Sequence, residues 1–206
     1  MEWNKISEIP IHKLILLLKP IYEILEKDVC LDKQYNDEFL DASLSWMSIC
    51  GLETSKKIVL KTKQLSMAWG YFHQYLIGSF PAYETLPNGT DTGLDVKSLD
   101  GTEYIEVKNK QNTMNSDIGK QVIKKLLEWK DGNPEKYPIL IMINCKGKAP
   151  RYGAPKEIEV MNGKQGYEHI SARKTFYDDL LETLKYIFKN FKTYKQLQES
   201  LVLTSQ

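Results

Sequence analysis

The spacing of apolar residues changes near Gly78, and this change constrains the fold more than any other feature of the sequence. Between Ser55 and Gly78 the apolar and aromatic residues recur at helical spacing. Three short segments that follow are typical of β-strands instead: Phe80 to Leu86, Leu94 to Leu99, and Thr102 to Asn109. A helix followed by several strands favours a sheet that packs against helices.

The remaining segments continue this alternation. A helix is predicted to begin at Asn115 or Ser116, and the apolar run Pro138 to Ile143 is typical of a buried strand. The central order of helix, three strands, helix and strand predicts an α/β (α+β) fold with a mixed sheet. A short strand at Glu157 to Val160 and a turn at Asn162-Gly163 are predicted to follow. Further helices are predicted towards both ends of the chain: Ile9 to Lys27, which Pro20 kinks or splits, Asn36 to Cys50, and about Thr175 to Phe191.

The Asp100-Gly101 pair between two alternating segments predicts a β-hairpin. If these two residues alone form the turn, the register places Asp95 directly opposite Glu106. Lys108 lies on the same face as Glu106, because residues two apart on a strand point the same way. Two carboxylates and one ammonium group are therefore expected to converge.

These three residues, Asp95, Glu106 and Lys108, are called the triad below. Carboxylates directly opposite each other on a ladder repel, and a hard cation such as Mg²⁺ between them removes that repulsion because it prefers carboxylate oxygens. Such an ion lowers the pKa of a bound water and neutralises charge on a phosphate. A lysine beside that water can orient it, deprotonate it or stabilise the charged phosphorus. The triad thus predicts phosphodiester hydrolysis, and the alternative is an exposed hairpin in which Lys108 only neutralises Glu106.

Polar residues lead from the triad into the next helix. They are suited to phosphate and sugar contacts, and the helix N-terminus favours an anion. The same residues also suit turns and helix capping alone. The predicted DNA contacts in this run are Lys110, Asn112, Thr113 and Asn115.

Charge is distributed unevenly along a chain whose formal net charge is only +1. Residues 1–50 carry nine acidic residues and five lysines, whereas residues 142–174 carry seven basic and three acidic residues. A locally basic surface on a near-neutral protein suits an enzyme that binds DNA and releases it, although it also suits an ordinary solvated surface. No apolar run is long enough to cross a bilayer, so a cytoplasmic location without membrane association is expected.

At the triad the sequence resembles the PD-(D/E)xK nuclease superfamily, with Gly93-Leu94-Asp95 followed by Glu106-Val107-Lys108 and without the usual proline before the aspartate. Two longer stretches, Trp69 to Gln74 and Glu106 to Thr113, resemble a family of type II restriction endonucleases that cut GGNCC- or GGWCC-type sites. The restriction-endonuclease-like αβββαβ core maps onto about Leu65 to Cys145. The resemblance implies one endonuclease domain over residues 1–206, with a helical part at 1–64, the catalytic core at 65–145, and a basic segment with the C-terminal helix at 146–206.

The resemblance also implies a metal site. Asp95 and Glu106 would be Mg²⁺ ligands, with Mn²⁺ as a substitute, and Lys108 would be the catalytic base or an electrostatic stabiliser. Three further residues are implied behind them: Glu84 as another metal ligand, and His73 and Gln74 as auxiliary residues. The alternatives are a solvated strand end for Glu84 and a hydrogen-bonded helix histidine for His73.

Recognition of DNA is assigned to the basic segment. Arg151 and Arg173 are candidates for base reading, since a guanidinium pairs bidentately with guanine in the major groove. Phosphate contacts are assigned to Lys146, Lys148 and Lys156, and a surface or ion-pair role for each arginine is the alternative. A palindromic site implies a homodimer, and the resemblance implies double-stranded DNA as substrate and a cognate DNA methyltransferase as functional partner.

Two other functions fit the same residues. A repair or junction-resolving nuclease of this fold would recognise the shape of DNA instead of its sequence. A non-catalytic DNA-binding module would keep the fold without activity, and the complete triad argues against it.

Overall fold

The computed structural model describes residues 4–27, 51, 53–87, 93–110, 116–145 and 147–202. The predicted helix at Asn36 to Cys50 lies outside these residues. Their helices are α1 (Ile11–Glu26), α2 (Glu53–Ile77), α3 (Ser116–Gly132), α4 (Gly163–Ser171), α5 (Phe176–Asn190) and α6 (Tyr194–Val202). Their strands are β1 (Tyr83–Thr85), β2 (Val96–Ser98), β3 (Glu103–Lys110), β4 (Tyr137–Asn144) and β5 (Glu159–Asn162).

The strands form one mixed sheet in the order β1-β2-β3-β4-β5. The pairs β1–β2 and β2–β3 are antiparallel, and the pairs β3–β4 and β4–β5 are parallel. The mixed sheet and the predicted order of helix, three strands, helix and strand are confirmed in α2 through β4. Strand β3 therefore lies in the middle of the sheet, with a neighbour on each side.

Helices cover both faces of the sheet. Strand β4 is buried from Pro138 to Ile143, as its continuous apolar run predicts. Its alternate residues enter two clusters, with Ile141 in the larger and Leu140 in the smaller. The smaller cluster is completed by α3, and the larger by residues of α1, α2, α4, α5 and α6. Each face of β3 therefore meets a different set of helices.

The predicted turn at Asn162-Gly163 is wrong, because these residues begin α4. The Asn162 side chain accepts a hydrogen bond from the Gln165 N–H, and the Gln165 side chain accepts one from the Asn162 N–H, which is a capping box. Gly163 and Gly166 then let the helix backbone approach β4, since a Cβ at either position would lie 2.3 or 2.6 Å from its nearest β4 atom.

Two predictions for the N-terminal half of the chain differ from the structure. Helix α1 continues past Pro20 without being split. Strand β1 is shorter than the predicted segment Phe80 to Leu86. Among the helices in the described part of the chain, none combines the length and the apolar character needed to cross a membrane.

Candidate active site

The triad lies on the face of the sheet that α3 covers. Glu106 and Lys108 project from the middle of β3, and Asp95 directly precedes β2. Tyr104, two residues before Glu106, packs against Trp129 of α3 with 4.4 Å between ring centroids. The triad is therefore positioned by the central strand and shielded by one helix.

The register between β2 and β3 is the predicted one. Val96 pairs with Ile105 and Lys97 with Tyr104, and the regular ladder ends before Asp95. The backbone bends at Asp95. The Asp95 N–H donates to the Ile105 carbonyl at 3.0 Å, and the Asp95 carbonyl accepts the N–H of Leu86, which directly follows β1, at 2.8 Å. The bend brings Asp95 into contact with both neighbouring chain segments.

The predicted two-residue turn is wrong, because the connection between β2 and β3 is longer. Strand β2 ends at Ser98 and β3 begins at Glu103. The Ser98 hydroxyl accepts the N–H groups of Thr102 and Glu103 at 3.1 and 2.9 Å, and donates to Asp100 Oδ1 at 2.5 Å. Gly101 takes a left-handed φ of +69°. These side-chain bonds keep the register although Asp100-Gly101 does not form the turn alone.

Asp95 is fixed against β3 by its own side chain. Its Oδ2 accepts the Val107 N–H at 2.7 Å. The pKa of Asp95 is raised to about 6, first by burial and next by the neighbouring Glu106 carboxylate, while the Val107 N–H, Lys108 and Lys125 oppose that rise. The two carboxylates therefore lie close enough to repel, as the hairpin register predicts.

Glu106 is buried and held by two lysines. It is 3% exposed, so the alternative of a solvent-exposed salt-bridged hairpin does not describe it. Lys108 Nζ lies 2.5 Å from Oε1, and Lys125 Nζ lies 3.3 Å from Oε2. Each of these ions must lose water to reach this position. The arrangement of a buried carboxylate between two ammonium groups is therefore a specific feature of the fold.

Lys125 belongs to this site and was missed by reasoning from the sequence. It lies on α3 and also donates to the Gly93 carbonyl. The available signal was its position, three residues after Val122 and four before Trp129, which both pack on the smaller cluster. A lysine on the apolar stripe of a helix that covers a sheet points towards that sheet.

The residues present fit a divalent cation. Asp95 and Glu106 supply the carboxylate oxygens that Mg²⁺ prefers. The pKa of Asp95 is raised first by burial and next by the Glu106 carboxylate, and a cation would relieve that repulsion. Among the described residues, no three His, Cys, Asp or Glu side chains are grouped closely enough to hold a metal ion. Water and phosphate oxygens would therefore complete the coordination, as is common for Mg²⁺.

Glu84 lies apart from this carboxylate pair. It sits on β1 opposite Lys97, and its Oε1 is 2.9 Å from Lys97 Nζ. Lys97 is two positions from Asp95, so Glu84 is on the same face but displaced along the strand. Its role as a further ligand stays a prediction.

His73 and Gln74 lie on α2, which packs on the opposite face of the sheet from Glu106. His73 is 5% exposed, and its Nδ1 is 2.8 Å from the Tyr167 hydroxyl of α4. Burial lowers the pKa of His73 to about 3, which leaves the ring neutral. The structure does not bring these two residues together with the triad.

Both arginines are engaged with the protein itself. Arg151 donates to the carbonyls of Pro155 and Ile158 at 2.6 and 3.0 Å. Arg173 lies within 2.8 Å of Glu8 and 3.3 Å of Asp179. Base reading by either guanidinium stays a prediction, and it would have to coexist with these contacts or replace them.

The remaining predicted DNA contacts are only partly described. Lys148 and Lys156 are exposed, which suits phosphate contacts. Lys110 ends β3, on the same strand as Glu106 and Lys108. Four predicted contacts lie outside the described residues: Asn112, Thr113, Asn115 and Lys146.

The mixed αβββαβ core, with Asp95 beside the buried Glu106, defines a restriction-endonuclease-like protein. Residues 41–190 match the Eco47II restriction endonuclease family, and the chain belongs to that family. It is also similar to the type II restriction enzyme Sau96I of Staphylococcus aureus, at 28% identity over 133 residues. That similarity covers 54% of this chain, and the chain spans about half (48%) of the length of Sau96I. Both the triad and Lys125 lie inside the region that matches the family.

Proposed function

We propose that this chain is a Mg²⁺-dependent type II restriction endonuclease that hydrolyses phosphodiester bonds in double-stranded DNA at a short specific site. The observation that carries the proposal is the buried Glu106 beside Asp95, with Lys108 at 2.5 Å from the Glu106 carboxylate. Membership of the Eco47II restriction endonuclease family supports it.

Each residue of the triad has a role in this proposal. Asp95 and Glu106 would hold the ion, which when bound would supply an acidic water and offset charge on the phosphate. Val107 would hold the Asp95 carboxylate in place through its N–H. Lys108, as the cation of its ion pair, would place positive charge at the scissile phosphate. We therefore assign Lys108 to stabilising the charge that develops when water attacks phosphorus and the P–O bond breaks.

DNA contacts are proposed on the basic side of the chain. Lys148 and Lys156 would bind phosphates, because they are exposed and cations fix a protein on the DNA backbone. Guanine reading is proposed for Arg151 and Arg173 on the geometry of the guanidinium group. The site would be of the GGNCC or GGWCC kind, as the sequence resemblance implies.

The assembly and the cellular partners are proposed on symmetry and on the family. A palindromic site fits a two-fold protein, so we propose a homodimer. A cytoplasmic restriction-modification system would pair it with a DNA methyltransferase for the same site. Sedimentation velocity with a specific duplex would show one dimer per duplex, and a monomer on DNA would contradict this part.

The decisive experiment is a plasmid digest. Purified protein with Mg²⁺ should give discrete fragments, and sequencing their ends would report the site and the position of the cut. Asp95→Ala and Lys108→Ala should each abolish cutting, because one removes a carboxylate ligand and the other removes the stabilising charge. Circular dichroism should show both variants folded.

Two exposed residues of α3 provide matched control substitutions for the digest. Lys124→Ala changes an exposed lysine of α3 that pairs with Glu128, and Asp131→Asn changes an exposed carboxylate of the same helix. Both should cut as the wild type does. Unchanged cutting by the Asp95 and Lys108 variants would refute the assignment. Cleavage confined to branched or damaged DNA would replace it with a junction-resolving or repair nuclease, and failure to bind Mg²⁺ or Mn²⁺ would favour a non-catalytic module.

A further inference from the structure

Lys125 connects the two chain segments that carry the carboxylates. From α3 its ammonium group donates to the Gly93 carbonyl, two residues before Asp95, and lies 3.3 Å from Glu106 Oε2. Lys108 approaches the other oxygen of the same carboxylate. Each oxygen of Glu106 therefore has its own lysine, and the two lysines come from different elements.

The chain makes room for Lys125 at Gly93. A Cβ on Gly93 would lie 3.0 Å from Lys125 Cε and 3.2 Å from its Nζ, closer than an ordinary van der Waals contact. Gly93 also has a backbone φ of +59°, which residues other than glycine adopt only with strain. Both observations tie the glycine of Gly93-Leu94-Asp95 to the lysine on α3.

The charges of the site cancel when Lys125 is counted. Asp95 and Glu106 contribute two negative charges when both are ionised, and Lys108 and Lys125 contribute two positive charges. Without Lys125 the group would carry one net negative charge and attract a divalent cation more strongly. Glu106 already has an ion-pair partner in Lys108, so pairing alone does not account for a second lysine.

We infer that Lys125 is a positioning residue of the active site, which holds Glu106 Oε2 and the Gly93 carbonyl and thereby weakens the affinity of the carboxylate pair for a divalent cation. The inference rests on the proposed function. The ion must compete with an ammonium group for Glu106, so its binding is weak until another negative group, such as a DNA phosphate, enters the site. Without Lys125 the two carboxylates stay near each other, because Val107 holds Asp95 and strand β3 carries Glu106, but Glu106 Oε2 loses its contact from α3.

A purely structural role for Lys125 makes a different prediction. Ile123 and Leu126 anchor α3 in the smaller cluster, and they are 4% and 0% exposed. The Lys125 side chain is 40% exposed, so replacing its amine removes little packing. If Lys125 only secured the helix, its loss would loosen the site and weaken cation binding. The inference predicts the opposite change.

The test is calorimetric titration with Mn²⁺ in the absence of DNA. Lys125→Met keeps most of the apolar stem and removes the charge, and we expect it to bind Mn²⁺ about tenfold more tightly than the wild type. Lys125→Arg keeps the charge and should bind near the wild-type value. Lys124→Met, at the exposed neighbouring position, is the matched control and should not differ from the wild type. At saturating Mn²⁺ the Lys125→Met variant should cleave DNA at least about tenfold more slowly, because Glu106 is no longer held from α3.

Gly93→Ala provides a second route to the same change. Its Cβ should displace Lys125, so Mn²⁺ should bind more tightly than to the wild type. In the Lys125→Met background the same substitution should leave the Mn²⁺ affinity unchanged, because the group that it displaces is gone. If Lys125→Met folds poorly, the Mn²⁺ affinity of Gly93→Ala alone still tests the inference.

The outcomes separate this inference from the proposed function. A wild type that binds Mn²⁺ and cuts DNA, with equal or weaker Mn²⁺ binding by Lys125→Met, overturns the inference alone. Failure of both the wild type and Lys125→Met to bind a divalent cation, with DNA present or absent, overturns both. Tighter binding by Lys125→Met with rescue by Lys125→Arg supports the inference.

Discussion

Asp95 shows how one residue can oppose folding. Its carboxylate is partly buried beside Glu106, and its pKa is raised to about 6 from an ordinary value of 3.8. The folded protein therefore holds a proton on this group more tightly than the unfolded chain does. Stability is lost as the pH rises from about 4 to 6, and above pH 6 the full penalty remains.

Asp95→Asn should therefore stabilise the protein in the absence of metal. The amide keeps an oxygen for the Val107 N–H but carries no charge, so at pH 7.5 we expect a gain of about 2 kcal/mol in the free energy of unfolding. The gain should shrink towards pH 4. Urea denaturation in the presence of a chelator measures it, with Asp131→Asn as the exposed control. An Asp95→Asn variant no more stable than the wild type at pH 7.5 would contradict the raised pKa of Asp95.

The triad could be predicted from the sequence because its geometry is local. Two strands joined by a short connection bring Asp95 close to Glu106, and Lys108 shares the face of Glu106 because it is two residues further along β3. Lys125 could not be placed in the same way, since its contact with Glu106 depends on how α3 lies across the sheet. The bend at Asp95 could not be predicted from the sequence either, because it depends on backbone hydrogen bonds to β3 and to Leu86.

At the scale of elements, α4 is tied to β3 by a charged pair far along the strand from Lys108. His169 Nε2 lies 3.0 Å from Glu103 Oε1, and the Tyr83 hydroxyl donates to Glu103 Oε2 at 2.7 Å. The bond raises the pKa of His169 and lowers the pKa of Glu103. Both shifts stabilise the folded state in the pH range where His169 is charged and Glu103 is ionised.

The contribution of this pair should disappear as the pH rises. It is fully present below the ordinary His pKa of 6.5 and is lost as the pH passes the raised pKa of His169. At acid pH it is lost again as Glu103 takes up a proton. We expect the stability difference between wild type and His169→Gln to fall by about 0.5 kcal/mol between pH 6 and 8, a small value because the pair is partly exposed.

Thermal melts across this pH range test the prediction. Tyr83→Phe is the matched control, because it removes the other hydrogen bond to Glu103 without removing a group that titrates near neutral pH. Its stability difference from the wild type should stay constant from pH 6 to 8. A difference for His169→Gln that does not change with pH would exclude the charged pair.

Helix α4 also shows where a local signal was misread. Asn162-Gly163 is typical of a tight turn, yet the glutamine three residues after Asn162 is the mark of a capping box. The sequence therefore contained both signals. The close approach of Gly163 to the Ile143 carbonyl decides between them, and that contact exists only once α4 lies against β4.

At the scale of the whole molecule, Arg173 joins the N-terminal segment to α5. Its guanidinium lies against Glu8 and Asp179 and donates to the Lys5 carbonyl at 3.1 Å. Lys5 and Glu8 are far from Arg173 in sequence, so this arrangement could not be predicted from the sequence. Base reading by Arg173 was predicted from the geometry of the guanidinium group.

Arg173→Met should reduce the free energy of unfolding by about 2 kcal/mol, because it leaves two partly buried carboxylates without their cation. Urea denaturation measures the loss. Arg151→Met, which removes hydrogen bonds to carbonyls of an exposed loop, is the control and should cost less. Unchanged stability of Arg173→Met together with weaker binding of a specific duplex would instead support base reading by Arg173.

The central place of β3 has a consequence for the order of synthesis. Asp95, Glu106, Lys108 and Lys125 all leave the ribosome before β4, which begins at Tyr137 and forms one complete side of the ladder of β3. A nascent chain that ends before β4 has every charged group of the site but lacks the neighbour that aligns the strand. On the proposed function, we therefore expect a nascent chain that has not yet reached β4 to be unable to cut DNA.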